Sequence, residues 1–157
     1  MPGTQPYLPA DRKKTAAAEE HVTHRKGSRM IVVYGIRDKL DPIKAQLSDV
    51  IHSCMMSVLG MPEDKRAHRF VSLDRSDFYY PGGRSDAYTV IEINIMAGRQ
   101  PETQKKLIKE LFEKIEKQLS ISPLNIEITI KEQQPYQWGF RGITGDEAND
   151  LKYKINV

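Results

Sequence analysis

Two pairs of prolines, spaced almost alike, constrain this chain more than any other feature. Pro42 and Pro101 stand 59 residues apart, and Pro62 and Pro123 stand 61 apart. Pro42 and Pro62 bracket one apolar stripe at helical spacing, and Pro101 and Pro123 bracket another. The first stripe is Ile43, Leu47, Val50, Ile51, Cys54, Met55 and Val58; the second is Leu107, Ile108, Leu111, Phe112, Ile115 and Leu119. Asp41-Pro42 reads as one helix start, with Asp as N-cap and Pro at the first helical position, and Pro101 as the other. Gly60 ends the first helix and Pro62 prevents its restart.

Each helix is flanked by runs rich in β-branched residues. Met30–Tyr34 and Ala67–Leu73 frame the first; Tyr88–Met96 and Asn125–Lys131 frame the second. The order β-α-β therefore occurs twice, with slight residue identity between the halves. Short connections call for right-handed crossovers and parallel pairs within each half. The expected fold is α+β, a four-stranded mixed sheet with two helices on one face. The segment 74–85, with Tyr79-Tyr80-Pro81-Gly82-Gly83, links the halves. A tail follows with Trp138-Gly139-Phe140-Arg141-Gly142 and a last strand-like run, Tyr153–Val157. The other face of the second-half strand carries Val90, Glu92, Asn94 and Met96. That mixture suits a subunit interface better than open water.

Residues 1–29 lack such patterning, with three prolines, two glycines and scattered charge. They read as a disordered extension or remnant, leaving 30–157 as the domain. They also hold six basic and three acidic side chains, which accounts for the net charge of +3 and leaves 18 of each sign in the remainder. A neutral body lacks the electrostatic footprint of a nucleic-acid binder. The same string of elements occurs in ferredoxin-like RNA-binding modules, but the strand Tyr88–Ile95 has no basic residue. No phosphate-loop pattern occurs. One cysteine, Cys54, rules out a disulfide framework and multi-cysteine zinc sites. His21 and His24 lack a third ligand, so no metal or cofactor is expected. With no secretory signal and no apolar run long enough to cross a bilayer, the expected location is cytoplasmic.

The ordered set of a strand from Met30, a helix, Gly60-Met61-Pro62-Glu63-Asp64-Lys65-Arg66, a strand, Arg84-Ser85-Asp86, and a strand ending Ala97-Gly98-Arg99 resembles the tautomerase superfamily. The closing Trp138-Gly139-Phe140 is similar to the tail of its longer members, such as malonate semialdehyde decarboxylase. The resemblance covers about residues 30–145. It implies two β-α-β units, assembly as a homotrimer, and keto–enol isomerisation of a small 2-oxo or enol carboxylic acid. In that family an N-terminal proline amine moves the proton, and arginines hold the carboxylate and the enolate oxygen.

Carried over residue by residue, Arg99 is the substrate-binding arginine, and Trp138 and Phe140 form an apolar pocket wall. Arg69, Arg84 and Tyr79 are weaker rim candidates. The base is the difficulty. The first strand opens on Met30 rather than proline, so the resemblance implies a Met30 α-amine if translation starts there. Otherwise it falls to Pro2, separated from the strand by about 28 residues. Lys65 stands where the decarboxylases and hydratases place a water-activating aspartate, and Ala97 where they place a second arginine. A second reading follows: a member that kept the trimer as a binding or structural protein and lost the chemistry.

Overall fold

The structure, a computed structural model, describes residues 29–148. Strand β1 is Arg29–Ile36 and is followed directly by a helical turn, α1, Arg37–Leu40. A 3₁₀ turn, Asp41–Ile43, leads into helix α2, Lys44–Leu59. Strand β2, His68–Leu73, completes the first half. The second half is β3 (Thr89–Met96), α3 (Pro101–Leu119) and β4 (Ile126–Gln133). A small hairpin, β5 (Gly139–Phe140) and β6 (Ile143–Thr144), closes the described chain.

The sheet order is β2-β1-β3-β4. β1 and β2 are parallel, as are β3 and β4, while β1 and β3 meet antiparallel at the centre. The duplication expected from the proline spacing is thus a sheet of two parallel pairs joined back to back. Period-2 alternation puts Ile31 and Val33 of β1 and Ile91, Ile93 and Ile95 of β3 on one face. That face packs against Leu47, Ile51, Cys54 and Met55 of α2 and Leu107, Leu111 and Ile115 of α3, forming one core.

The first helix departs from expectation. Asp41 is not an N-cap, because the chain has already turned helical at Arg37. Pro42 has no N–H for an α-helical bond, so it converts this turn to 3₁₀ geometry and the regular helix starts afresh at Lys44. The Asp41 carboxylate instead takes Lys44 at 2.7 Å and the Ser72 hydroxyl. Pro101 behaves as expected at the head of α3, and Gly60 ends α2 with φ of 66°. The strand-like run Tyr153–Val157, like Pro2, His21 and His24, lies outside the described residues.

Candidate anion-binding site at one end of the sheet

β1 begins one residue before Met30, and that residue changes the site. Alternation places Arg29 on the same face as Ile31 and Val33, and it is only 6% exposed. The register runs Arg29 to Ile95 to Glu132 across three strands at the end where β3 exits. The chain then turns through Ala97, whose N–H bonds Gln133 O at 2.7 Å, and Gly98, whose φ of 133° only glycine adopts readily. Arg99 follows, folded back so that its Nη1 donates to Met96 O at 3.2 Å. Gln104, in the first turn of α3, braces it: its Nε2 donates to Arg99 O at 3.2 Å and to Glu132 Oε1 at 2.7 Å.

Two guanidiniums therefore share this end of the sheet. Burial, and then the charge of Arg99, pushes Arg29 down to about 9 from the ordinary arginine value. Burial also lowers Arg99, with Glu132 pulling the other way. Both stay charged at neutral pH, and both depressions reflect the difficulty of holding a cation away from water.

The aromatic tail reaches the same end. Trp138, Phe140 and Ile143 pack around Met96 and Ala148 in a small second core. Met96 joins the two features, since its carbonyl holds Arg99 while its side chain meets the hairpin. Gly145 permits that seat: its N–H bonds Trp138 O at 2.7 Å, and a Cβ there would lie 2.5 Å from Pro135 O. Arg141 sits 4.9 Å from the centre of the Phe140 ring, in cation–π contact.

The other residues singled out from the sequence are dispersed. Met30 points to the opposite, helix-free face, where its sulfur meets the Arg69 guanidinium and its carbonyl accepts from Asn94 Nδ2 at 3.1 Å. As the chain stands, the Met30 nitrogen is an amide within β1. Arg84 and Tyr79 lie in the exposed linker at the start of β3, an eight-residue strand, roughly 25 Å, from Arg99. Lys65 is exposed, in a turn closed by its own N–H on Pro62 O at 3.1 Å.

Two histidines also went unnoticed in the sequence. His52 is 2% exposed, and its Nε2–H donates to Glu63 O at 2.9 Å, because a carbonyl can only accept. Its Nδ1 has no hydrogen-bond partner. His68 Nδ1 pairs with Ser48 Oγ at 2.8 Å, and burial, with Arg66 and His52 nearby, pushes its pKa down to about 4. The rings meet edge-on at 6.0 Å. Among the described residues no group of three or more His, Cys, Asp or Glu side chains is placed to hold a metal. Nor is any helix among them long and apolar enough to cross a membrane.

Comparison with known proteins converges on one family. A family model described as a tautomerase enzyme matches residues 65–141. The chain is 24% identical over 100 residues to the probable tautomerase YusQ of Bacillus subtilis (strain 168), an overlap covering 60% of this chain and 79% of that protein. Malonate semialdehyde decarboxylase superposes with a TM-score of 0.66 at 19% identity, covering 74% of this chain and 94% of that one. A fused 4-OT described as an asymmetric trimer gives 0.66 at 25% identity, covering 74% and 95%. A second such trimer gives 0.68 at 21%, covering 76% and 98%. The back-to-back β-α-β sheet, the matched family model and these relatives agree: the chain has the fold of the tautomerase superfamily, and its residues 65–141 match the tautomerase family model.

Proposed function

We propose that this protein binds a small 2-oxo or enol carboxylic acid through Arg99 and promotes its keto–enol isomerisation. The observation that carries this reading is the Arg99 guanidinium, half-buried, fixed on the β3 exit and braced by Gln104 through its backbone carbonyl. A planar, pre-oriented fork of this kind matches a carboxylate bidentately, and partial burial strengthens the attraction. Trp138 and Phe140 supply an apolar flank on the same side. In this reading the proton passes through the α-amine of a chain beginning at Met30, with Pro2 the second candidate. No cofactor or metal is required, and the location is cytoplasmic.

Ketonisation of enolpyruvate, followed optically in the parent protein and in Arg99→Ala, tests the reading. A parent rate well above buffer that collapses in the variant supports it; a parent rate equal to buffer at high protein concentration removes it. Intact mass of natively expressed protein identifies which amine heads the chain.

A second reading, a binding or structural protein without turnover, is favoured by three residues. An arginine heads β1, Lys65 occupies the loop after Pro62, and Ala97 stands beside Arg99. Binding of pyruvate without ketonisation would select it.

We further propose a homotrimer. The helix-free face carries half-buried Val32, Tyr34, Val71 and Val90, a surface that gains from being covered. The fused 4-OT relatives are described as trimers. Sedimentation that returns a monomer across micromolar concentrations would overturn this.

A further inference from the structure

We propose that Glu132 is a specificity residue of the Arg99 site: its carboxylate, at the rim, admits a 2-oxo acid with one carboxylate and disfavours one with two. This deepens the preceding reading and rests on Arg99 as the carboxylate ligand.

Strand register and one side chain put Glu132 beside the proposed ligand fork. On β4 it is the last of the helix-bearing row, after Ile126, Ile128 and Ile130, which belong to the core or pack against it. Its Oε1 accepts from Gln104 Nε2 at 2.7 Å, and that same nitrogen donates to Arg99 O at 3.2 Å. A single nitrogen therefore joins the carboxylate to the residue that would hold the substrate. Its field reaches the guanidinium, whose charge Glu132 favours while burial opposes it. β4 is an edge strand and Glu132 is exposed on it, so a ligand arriving at Arg99 from water meets this charge. Among the described residues the Arg99 side chain donates only through Nη1, to Met96 O at 3.2 Å, which leaves the rest of its fork for one planar oxyanion.

The selection follows from what adjoins that fork. One carboxylate on Arg99 is matched by the guanidinium. A second, carried on a short chain, meets either of two unwelcoming surfaces. Glu132 is a like charge, close enough to act on the Arg99 guanidinium itself. The hairpin side chains Trp138, Phe140 and Ile143, packed around Met96, are apolar and would strip a carboxylate of water without answering its charge. Arg141, the cation of that hairpin, already lies over the Phe140 ring, 4.9 Å from its centre. Arg29, 6% exposed, presents almost no surface to a ligand in solvent. An apolar tail meets neither penalty and gains contact with the hairpin.

Calorimetric titration of the full chain with 2-oxopentanoate and 2-oxoglutarate tests this, because the two share a carbon skeleton and differ only in a terminal methyl or carboxylate. The parent should bind 2-oxopentanoate about tenfold more tightly at low salt, the scale of one like-charge contact, and the preference should shrink at high salt. Glu132→Gln keeps an acceptor for Gln104 Nε2 and removes the charge. It should tighten 2-oxoglutarate by about tenfold and 2-oxopentanoate by less than about threefold. If Glu132→Gln does not fold, the salt series on the parent decides alone. A parent that binds the dianion as tightly as the monoanion, or a preference that neither salt nor Glu132→Gln alters, would overturn the inference. Arg99→Ala separates the two readings. Binding that falls in Arg99→Ala but shows no preference between the acids sinks this inference and leaves the proposed function standing. Binding untouched by Arg99→Ala sinks both.

Discussion

The two ends of the sheet treat arginine in opposite ways. Where β1 and β2 end, Arg75 is exposed and donates to Asp38 at 2.8 Å and Asp86 at 3.1 Å, with Lys39 joining Asp86 and Arg37 joining Asp74. These carboxylates raise Arg75 above its ordinary value, and Asp38 is lowered in return. Where β1 begins and β3 ends, Arg29 and Arg99 sit partly or wholly out of water, and both are lowered. The first arrangement is a solvated web whose charges are already answered by their neighbours. The second withdraws its cations from water. The same side chain is structural glue at one end and, as Arg99, a candidate ligand fork at the other, and the difference lies in burial.

The sharpest way to break this comparison is to truncate one arginine at each end. Arg99→Ala should weaken pyruvate or malonate binding by about 100-fold, the scale expected when a partly desolvated charge partner is removed. Arg75→Ala should change it by less than about twofold. Calorimetric titration of both variants reads the contrast, and equal losses would dissolve it.

Acidification probes a third basic group withdrawn from water at the site end. His68 opens β2, and its pKa in the folded chain is about 4, against 6.5 for the ordinary group. Between those values the unfolded chain binds the proton that the folded chain refuses. Stability from this group is therefore complete above about pH 6.5 and is lost as pH falls toward 4. With partial exposure discounted, the loss is about 2 kcal/mol. Asp38, Asp41 and Glu110, all lowered, lose stability in the same direction at lower pH. Urea unfolding of the parent and His68→Gln at pH 4.5 and 7 isolates the histidine: the variant should lose less on acidification, and identical slopes would refute the assignment.

A milder perturbation is steric. Gly145→Ala drives a Cβ against Pro135 O and the Met96 methyl, and should cost about 1–2 kcal/mol by unseating the hairpin. Because Met96 joins that hairpin to Arg99, ligand affinity should fall along with the melting temperature. A stability loss with unchanged affinity would uncouple the aromatic flank from the anion site.

Much of the fold was legible because prolines and β-branched alternation are local signals. Pro101 sets a helix start with no help from the rest of the chain, and the Ile91-Ile93-Ile95 alternation fixes which face is buried. The first helix was misjudged because Arg37–Leu40 carries no cap residue: Ile36 passes straight into the turn without a side-chain bond. At the site, Arg99 was found through its place in an ordered motif. Arg29 was missed because an arginine ahead of an apolar run reads as the boundary of a strand. Only extending the period of two backward, from Val33 and Ile31, would have turned it inward. His52 and His68 are 16 residues apart and meet only when β2 returns beside α2, so no local pattern announces them.

The smallest expected effect returns to the solvated end. Arg75 is exposed, so its bonds to Asp38 and Asp86 compete with water and are weakened by salt. Arg75→Ala should shift the melting temperature by no more than about 2 °C in dilute buffer, and by less than can be measured in 1 M sodium chloride. The contrast with Arg29→Met is one of size and of salt dependence. Removing the exposed cation lowers stability slightly; removing the buried one should move the melting temperature by more, and by the same amount at both salt concentrations. Melting curves of both variants at low and high salt decide whether burial separates the two ends, because screening acts on an exposed pair far more than on a desolvated one.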